Sequence, residues 1–193
     1  MKTTYKDFLY PSDVDNWVKT YKNCFPSANN ANKEFIDALS CYTGSVNTPI
    51  NNALRYGTNI SENTLIQPIY QQLIDNLPTY HIPENIIVYR YISKGLLKVM
   101  CPSYPPKAGM IIQDKGFMST TLIKNGVDSL RESNTLLKVL LKISVPAGTK
   151  GTYVGQEINP LSEYEVILAP NTQLRIDYKK PFSKKYFECT VIN

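Results

Sequence analysis

Histidine is almost missing from this chain: His81 is the single one among 193 residues. It sits in the loop-like stretch Tyr80-His81-Ile82-Pro83, which disfavours the serine–histidine and cysteine–histidine pairs of common nucleophilic catalysis. The four cysteines, Cys24, Cys41, Cys101 and Cys189, are far apart. Without a Cys-x-x-Cys pair there is no ligand spacing for a zinc site, and reduced thiols are the plain reading. No run of about eighteen apolar residues is present, so no membrane-spanning helix is expected. The opening residues, Met1-Lys2-Thr3-Thr4-Tyr5-Lys6-Asp7, lack the apolar core of a signal peptide. No Gly-x-Gly-x-x-Gly follows a strand pattern, which excludes the doubly wound dinucleotide fold. Clustered basic charge is missing too. The formal net charge is +5, but the densest patch is only Lys179-Lys180 with Lys184-Lys185. That is a solvated surface rather than a nucleic-acid footprint.

What remains is an ordinary folded protein, 42% hydrophobic and 19% charged, long enough to bury a sizeable core. The first 82 residues read as a mainly helical lobe. Ser12 can cap a helix with Asp15 three residues on, and Val14, Trp17, Val18 and Tyr21 then form one apolar stripe. Phe35, Ile36 and Leu39 mark a second helix. Thr48 before Pro49 signals an N-cap opening a helix through Arg55, which Gly57 can end. Leu65 to Leu77 keeps helical spacing, with Pro68 tolerable near the helix start.

Residues 83–193 read as a sheet core. Ile86 to Tyr91 is rich in β-formers, and Val139, Leu141, Ile143 and Val145 alternate with their neighbours up to Pro146. Further strands are expected over Phe117–Leu122, Glu163–Leu168, Gln173–Tyr178 and Tyr186–Ile192. Helices first and strands second imply an α+β fold. Two long loops, Met100–Gly109 and Gly155–Ser162, lie beside strands and can carry function.

Three segments carry chemistry. Arg90 is a permanent cation in an otherwise apolar strand and suits a phosphate. Gly116-Phe117-Met118-Ser119-Thr120-Thr121 puts consecutive hydroxyls on a strand. In Glu163-Tyr164-Glu165, strand alternation turns both carboxylates to one face, where like charges repel unless a cation or a reaction compensates them. Each segment also has a bland reading: a solvent-facing arginine, a run of β-formers and an exposed edge strand.

Together and in this order, the three segments resemble the arginine-serine-glutamate class of bacterial mono-ADP-ribosyltransferase toxins. The likeness extends to Pro83–Arg90, Lys115–Leu122, Lys142–Tyr153, Tyr42-Thr43-Gly44-Ser45 and Ile50–Arg55, running from about residue 40 to the end. It is nearest to clostridial binary-toxin enzyme components and insecticidal relatives, with the Rho-modifying exoenzymes further off. The resemblance implies one catalytic domain over 1–193, with N-terminal helices packed on two facing antiparallel sheets. It also implies transfer of ADP-ribose from NAD, a consumed substrate, to an arginine side chain, Glu-x-Glu being the mark of arginine-modifying members. Arg55 and Arg90 would hold the pyrophosphate and Asn51 the same nucleotide. Thr43, Tyr91 and Phe117 would lie near NAD, although many relatives carry glycine where Tyr91 stands. Ser119 would orient Glu165, Glu165 would stabilise the charge that develops on the ribose, and Glu163 would position the acceptor. Gly155, Gln156, Glu157 and Ser162 would belong to the loop that meets the target.

No metal and no cofactor beyond NAD is expected, since the arginines meet the phosphate charge themselves. The resemblance further implies a secreted bacterial protein acting in a host cytosol, with actin or a small GTPase as acceptor. A separate translocation component would serve as partner, although nothing in the chain corresponds to the adaptor domain that binary-toxin enzymes carry for it. Two other readings use the same residues. An NAD glycohydrolase would pass ADP-ribose to water, but needs no Glu163. A binding module without catalysis would have no use for Arg90, Ser119, Glu163 and Glu165 together.

Overall fold

The structure is a computed structural model; it describes residues 3–27, 30–124, 137–159, 164–179 and 185–192. Helix α1 spans Pro11–Thr20 and buries Val14 and Trp17. Its start differs from the Ser12 expectation. Pro11, with its fixed φ, takes the first helical position, so Tyr10 becomes the cap residue. The Tyr10 N–H donates to the Asp13 carboxylate at 3.2 Å. Trp17 then lies edge-on to Phe8, with Phe25 and Tyr153 also against it.

Helix α2 (Lys33–Cys41) is capped by Asn32, whose side chain accepts from the Phe35 N–H. It runs through a wide π-helical turn, Tyr42–Val46, directly into α3, Asn47–Tyr56. Thr48 is therefore inside the helix rather than its cap. Pro49 falls in the first turn of α3, where a missing N–H costs little. Gly57 ends α3 in the left-handed conformation, φ 70°, its N–H reaching the Ala53 carbonyl. Helix α4 covers Ile66–Asn76, with Pro68 in its first turn.

Strand β1 (Ile86–Ser93) is followed by a short helix α5, Lys94–Met100, which the sequence reading does not assign and whose last residue begins the expected Met100–Gly109 loop. The remaining strands are β2 (Ile111–Asp114), β3 (Met118–Thr121), β4 (Leu137–Val145), β5 (Gly151–Tyr153), β6 (Glu165–Leu168), β7 (Thr172–Lys179) and β8 (Tyr186–Ile192). They form one eight-stranded sheet in the order β2-β7-β8-β4-β1-β3-β6-β5.

The α+β class and the helices packed on facing β-layers hold, with two refinements. The two layers are parts of one sheet, joined where β1 meets β3 through the single pair Tyr89↔Thr121. One neighbour pair, β4 and β8, is parallel; the others are antiparallel. The layers enclose a shared core in which Val88, Ile92, Leu141 and Ile143 meet Met118, Val166 and Leu168. Strand alternation sends Phe117 and Ile167 to the other side of the β3–β6 layer, where they join Phe35, Leu39, Ile50 and Leu73 of the helices. The helical lobe is thus fixed to the sheet by a second core, and α2–α3 lies across the face that carries Ser119 and Glu165.

Candidate active site

The centre of the site is a carboxylate that sequence reasoning missed. Asp114, the last residue of β2, is fully buried. Its Oδ1 accepts from Arg55 Nε at 2.7 Å and from the Gly116 N–H at 2.9 Å. Its Oδ2 accepts from Arg55 Nη2 at 2.8 Å and from Arg90 Nη1 at 2.9 Å. Arg55 comes from the end of α3 and Arg90 from the middle of β1, so one carboxylate ties helix lobe to sheet. Burial alone would raise the Asp114 pKa, but the charges of Arg90 and Arg55 outweigh it and hold the group below its ordinary value. Both arginines keep a narrow opening, with 11% and 12% of their side chains exposed. Arg55 Nη2 also reaches the Phe117 carbonyl at 3.4 Å.

Asn51, one helical turn before Arg55, is buried, and its Nδ2 donates to the Tyr42 hydroxyl at 2.9 Å. Its Oδ1 is buried with no hydrogen-bond partner among the described residues. A buried acceptor without a donor is costly unless a ligand or water supplies one. Tyr42 links the rest of the cluster. Burial raises its pKa; hydrogen bonds with Ser119 and Asn51 and the charge of Arg90 act against that, and Glu165 adds to it. The phenol therefore lies within reach of Ser119 and within the fields of both Arg90 and Glu165.

Ser119 and Glu165 share one face of the β3–β6 ladder. Ser119 stands opposite Ile167 and Thr121 opposite Glu165, which makes the serine and the glutamate diagonal neighbours. Glu165 is only 6% exposed. Asn159 Nδ2 donates to its Oε2 at 3.4 Å, so one contact to this carboxylate comes from the loop expected to meet a target.

Other expected site residues fall elsewhere. Tyr91 follows Arg90 in β1, and alternation turns it away to pack against the small cluster of Ile87, Tyr89 and Leu140. It thus lies on the face of β1 opposite to Arg90. Phe117 has no exposed surface and its ring packs edge-on against Tyr42 at 5.4 Å; its ring is core, and its carbonyl accepts from Arg55 Nη2. Thr43 is half-buried, its hydroxyl donating to the Ser40 carbonyl. Gly155, Gln156 and Glu157 form a turn, with the Ile158 and Asn159 N–H groups donating to the Gly155 carbonyl. A cleft of about 690 Å³ opens between this turn and the end of α1, lined by Lys19, Lys22, Phe25, Tyr153, Gln156 and Glu157 among others. It touches none of Arg55, Arg90, Ser119 or Glu165. Glu163 and Ser162 lie outside the described residues. Among the described residues no group of three His, Cys, Asp or Glu side chains could hold a metal ion, and no helix is long and apolar enough to cross a membrane.

Asp114, Tyr42, Gly116 and Asn159 are the residues that complete the cluster. The signal available for Asp114 was its Asp-x-Gly spacing, a turn signature. Tyr42 adjoins Thr43 in sequence, but only the π-helical turn shows which of the two faces inward.

Helices packed on one eight-stranded sheet folded over its own core is the fold of bacterial ADP-ribosyltransferase toxin structures. The sequence matches the ADP-ribosyltransferase exoenzyme family over residues 14–192, and the chain belongs to that family. Among solved structures it is similar to C3stau2 from S. aureus, determined with NAD, at 19% identity and TM-score 0.72, covering 99% of this chain and 100% of that one. Plx2a, an ADP-ribosyltransferase toxin from Paenibacillus larvae, is 17% identical with TM-score 0.73, covering 98% and 100%. BECa, the ADP-ribosylating toxin of a C. perfringens binary enterotoxin, is 21% identical with TM-score 0.76; the match covers 98% of this chain and 50% of that one. No curated protein matches the chain.

Proposed function

We propose that this protein is a mono-ADP-ribosyltransferase that moves ADP-ribose from NAD to an arginine side chain of a host protein. The observation that carries the reading is the convergence of Arg55, Arg90 and the unpartnered Asn51 Oδ1 beside Ser119 and Glu165. The arginines offer charge-assisted donors to the pyrophosphate, and Asn51 Oδ1 accepts from a hydroxyl of the same nucleotide. Metal is not needed to neutralise the phosphates. Glu165 lies against the ribose that bears the nicotinamide, oriented by Ser119 and Asn159.

The glycosidic C–N bond breaks with its electron pair leaving on nicotinamide, and positive charge develops on the ribose. A fixed, nearly buried carboxylate stabilises that charge more than water does. A guanidine nitrogen of the target then attacks the same carbon, and Glu163 takes the proton that this nitrogen sheds. The arginine assignment rests on the likeness of Glu163-x-Glu165 to the motif of arginine-modifying members of the family. The turn at Gly155–Glu157, next to Asn159, meets the target surface. The whole chain acts as one catalytic domain, secreted and delivered to a host cell.

Incubating a host lysate with the enzyme and NAD, with EDTA present, and mapping adducts by mass spectrometry tests the reading. ADP-ribose on arginine, on actin, a small GTPase or another protein, is the expected result. Adducts confined to asparagine, cysteine or glutamate would refute the acceptor assignment, and loss of reaction in EDTA would refute the metal-free mechanism.

A further inference from the structure

We propose that the Asp114-Lys115-Gly116 turn is the positioning device of the phosphate grip: Asp114 fixes both arginines from behind and Gly116 leaves the space they occupy. The inference rests on the function proposed above. Asp114 cannot compete with a phosphate from the front, because it has no exposed surface, while the two arginines in front of it do. Its four acceptor directions are all used: two by Arg55, one by Arg90 and one by the Gly116 N–H. Arg55 is held through Nε and Nη2, so its guanidinium plane is fixed and its Nη1 edge is left for a ligand. Arg90 is held through Nη1 alone, which leaves Nε and Nη2. Two guanidinium groups so close would otherwise repel and swing apart.

Gly116 supplies a second, independent observation. A Cβ at this position would stand 2.6 Å from Asn51 Oδ1, 2.8 Å from Arg55 Nε and 2.9 Å from Arg55 Cζ. These are the ends of flexible side chains, so an alanine is accommodated by pushing them aside rather than by breaking the backbone. The φ of Gly116 lies outside the left-handed region, so alanine adds no backbone strain there. Gly116→Ala therefore displaces Asn51 and Arg55 without a backbone clash, at the cost of part of the Arg55–Asp114 bonding. Asp114→Asn keeps shape but removes the charge that holds the two arginines together.

The test compares ADP-ribose, which carries both phosphates, with nicotinamide riboside, which carries none, as competitors in a nicotinamide-release assay. In both variants ADP-ribose is expected to weaken by about tenfold and KM for NAD to rise alike, with kcat within about threefold of wild type. Nicotinamide riboside should inhibit the variants as it does the wild type. Equal losses for both competitors, or an unchanged ADP-ribose constant in folded Gly116→Ala protein, would overturn the proposal while leaving the proposed function standing. Gly116→Ala decides the matter even where Asp114→Asn does not fold. A wild-type protein that neither binds ADP-ribose nor releases nicotinamide overturns the function itself, and this inference with it.

Discussion

Arg55 and Arg90 face the same phosphates in the proposed site, yet their removal should cost the fold unequal amounts. Methionine at either position keeps the aliphatic stem and removes only the guanidinium. Arg55→Met takes two charge-assisted bonds from a fully buried carboxylate, at 2.7 and 2.8 Å, and Arg90→Met takes one at 2.9 Å. Such bonds are worth about 1.5–3 kcal/mol each, and stripping one partner from a buried ion pair costs about 3–5 kcal/mol. The expectation is about 3–5 kcal/mol for Arg55→Met and about 1.5–3 kcal/mol for Arg90→Met. At about 2–4 °C per kcal/mol for a protein of this size, Tm falls by about 6–20 °C and about 3–12 °C respectively. Differential scanning fluorimetry of both variants, alone and combined with Asp114→Ala, is the assay. With Asp114 removed, the difference between the two arginines should shrink below about 1 kcal/mol, because the shared partner is gone. A larger loss for Arg90→Met than for Arg55→Met, or a difference that survives Asp114→Ala, would show that the carboxylate does not organise the pair.

Three other predictions concern the two glutamates and the effect of acid. Glu165→Gln should cut both transfer to protein and NAD hydrolysis by about 10²–10³-fold, the usual cost of losing a preorganised electrostatic stabiliser. Glu163→Gln should abolish transfer to arginine but keep much of the hydrolysis, and nicotinamide release with and without target separates the two; equal loss of hydrolysis in both would contradict the division of labour. Acid should act through Asp114, whose folded pKa is depressed by Arg90 and Arg55 against the effect of burial. Its contribution to stability is full above the unfolded value of about 3.9 and is lost as pH falls through the lower folded value. Urea midpoints measured from pH 6 to pH 2 should therefore drop further for wild type than for Asp114→Asn, and parallel curves would refute the linkage.

The switch from helical to strand spacing near Pro83 was legible because each periodicity is local and each face is buried on one side. Arg90, Ser119 and Glu165 were legible as a set, and the structure brings them to one place around Tyr42. What escaped the sequence were short elements defined by distant partners. β2 has four residues, and its register comes from β7. β5 has three, and Gly151 is needed there because a Cβ would meet the Ile167 carbonyl at 2.6 Å. The packing of Tyr91 on the face opposite to Arg90 was legible from alternation alone. For Phe117 core packing was already the stronger of two sequence readings, and its ring packs with Tyr42 and the helices.

The reading of two cations for two phosphates leaves out the residue that makes the arrangement stable. Two arginines at 11% and 12% exposure would be strongly unfavourable as a bare pair. With Asp114 between them the buried group carries one net positive charge, so the fold survives when the site is empty. In the proposed function, what the site would then offer a pyrophosphate is less a large charge than a fixed set of N–H donors, and fixed donors lose little freedom on binding. The same carboxylate explains why a helix end and a mid-sheet residue act together. Arg55 and Arg90 are 35 residues apart in the chain and are joined through Asp114 on β2, a strand that contributes nothing else to the cluster. A change at the β2–β7 edge should therefore be felt first by the two arginines and only afterwards by Glu165, which lies on a different strand and contacts Asn159.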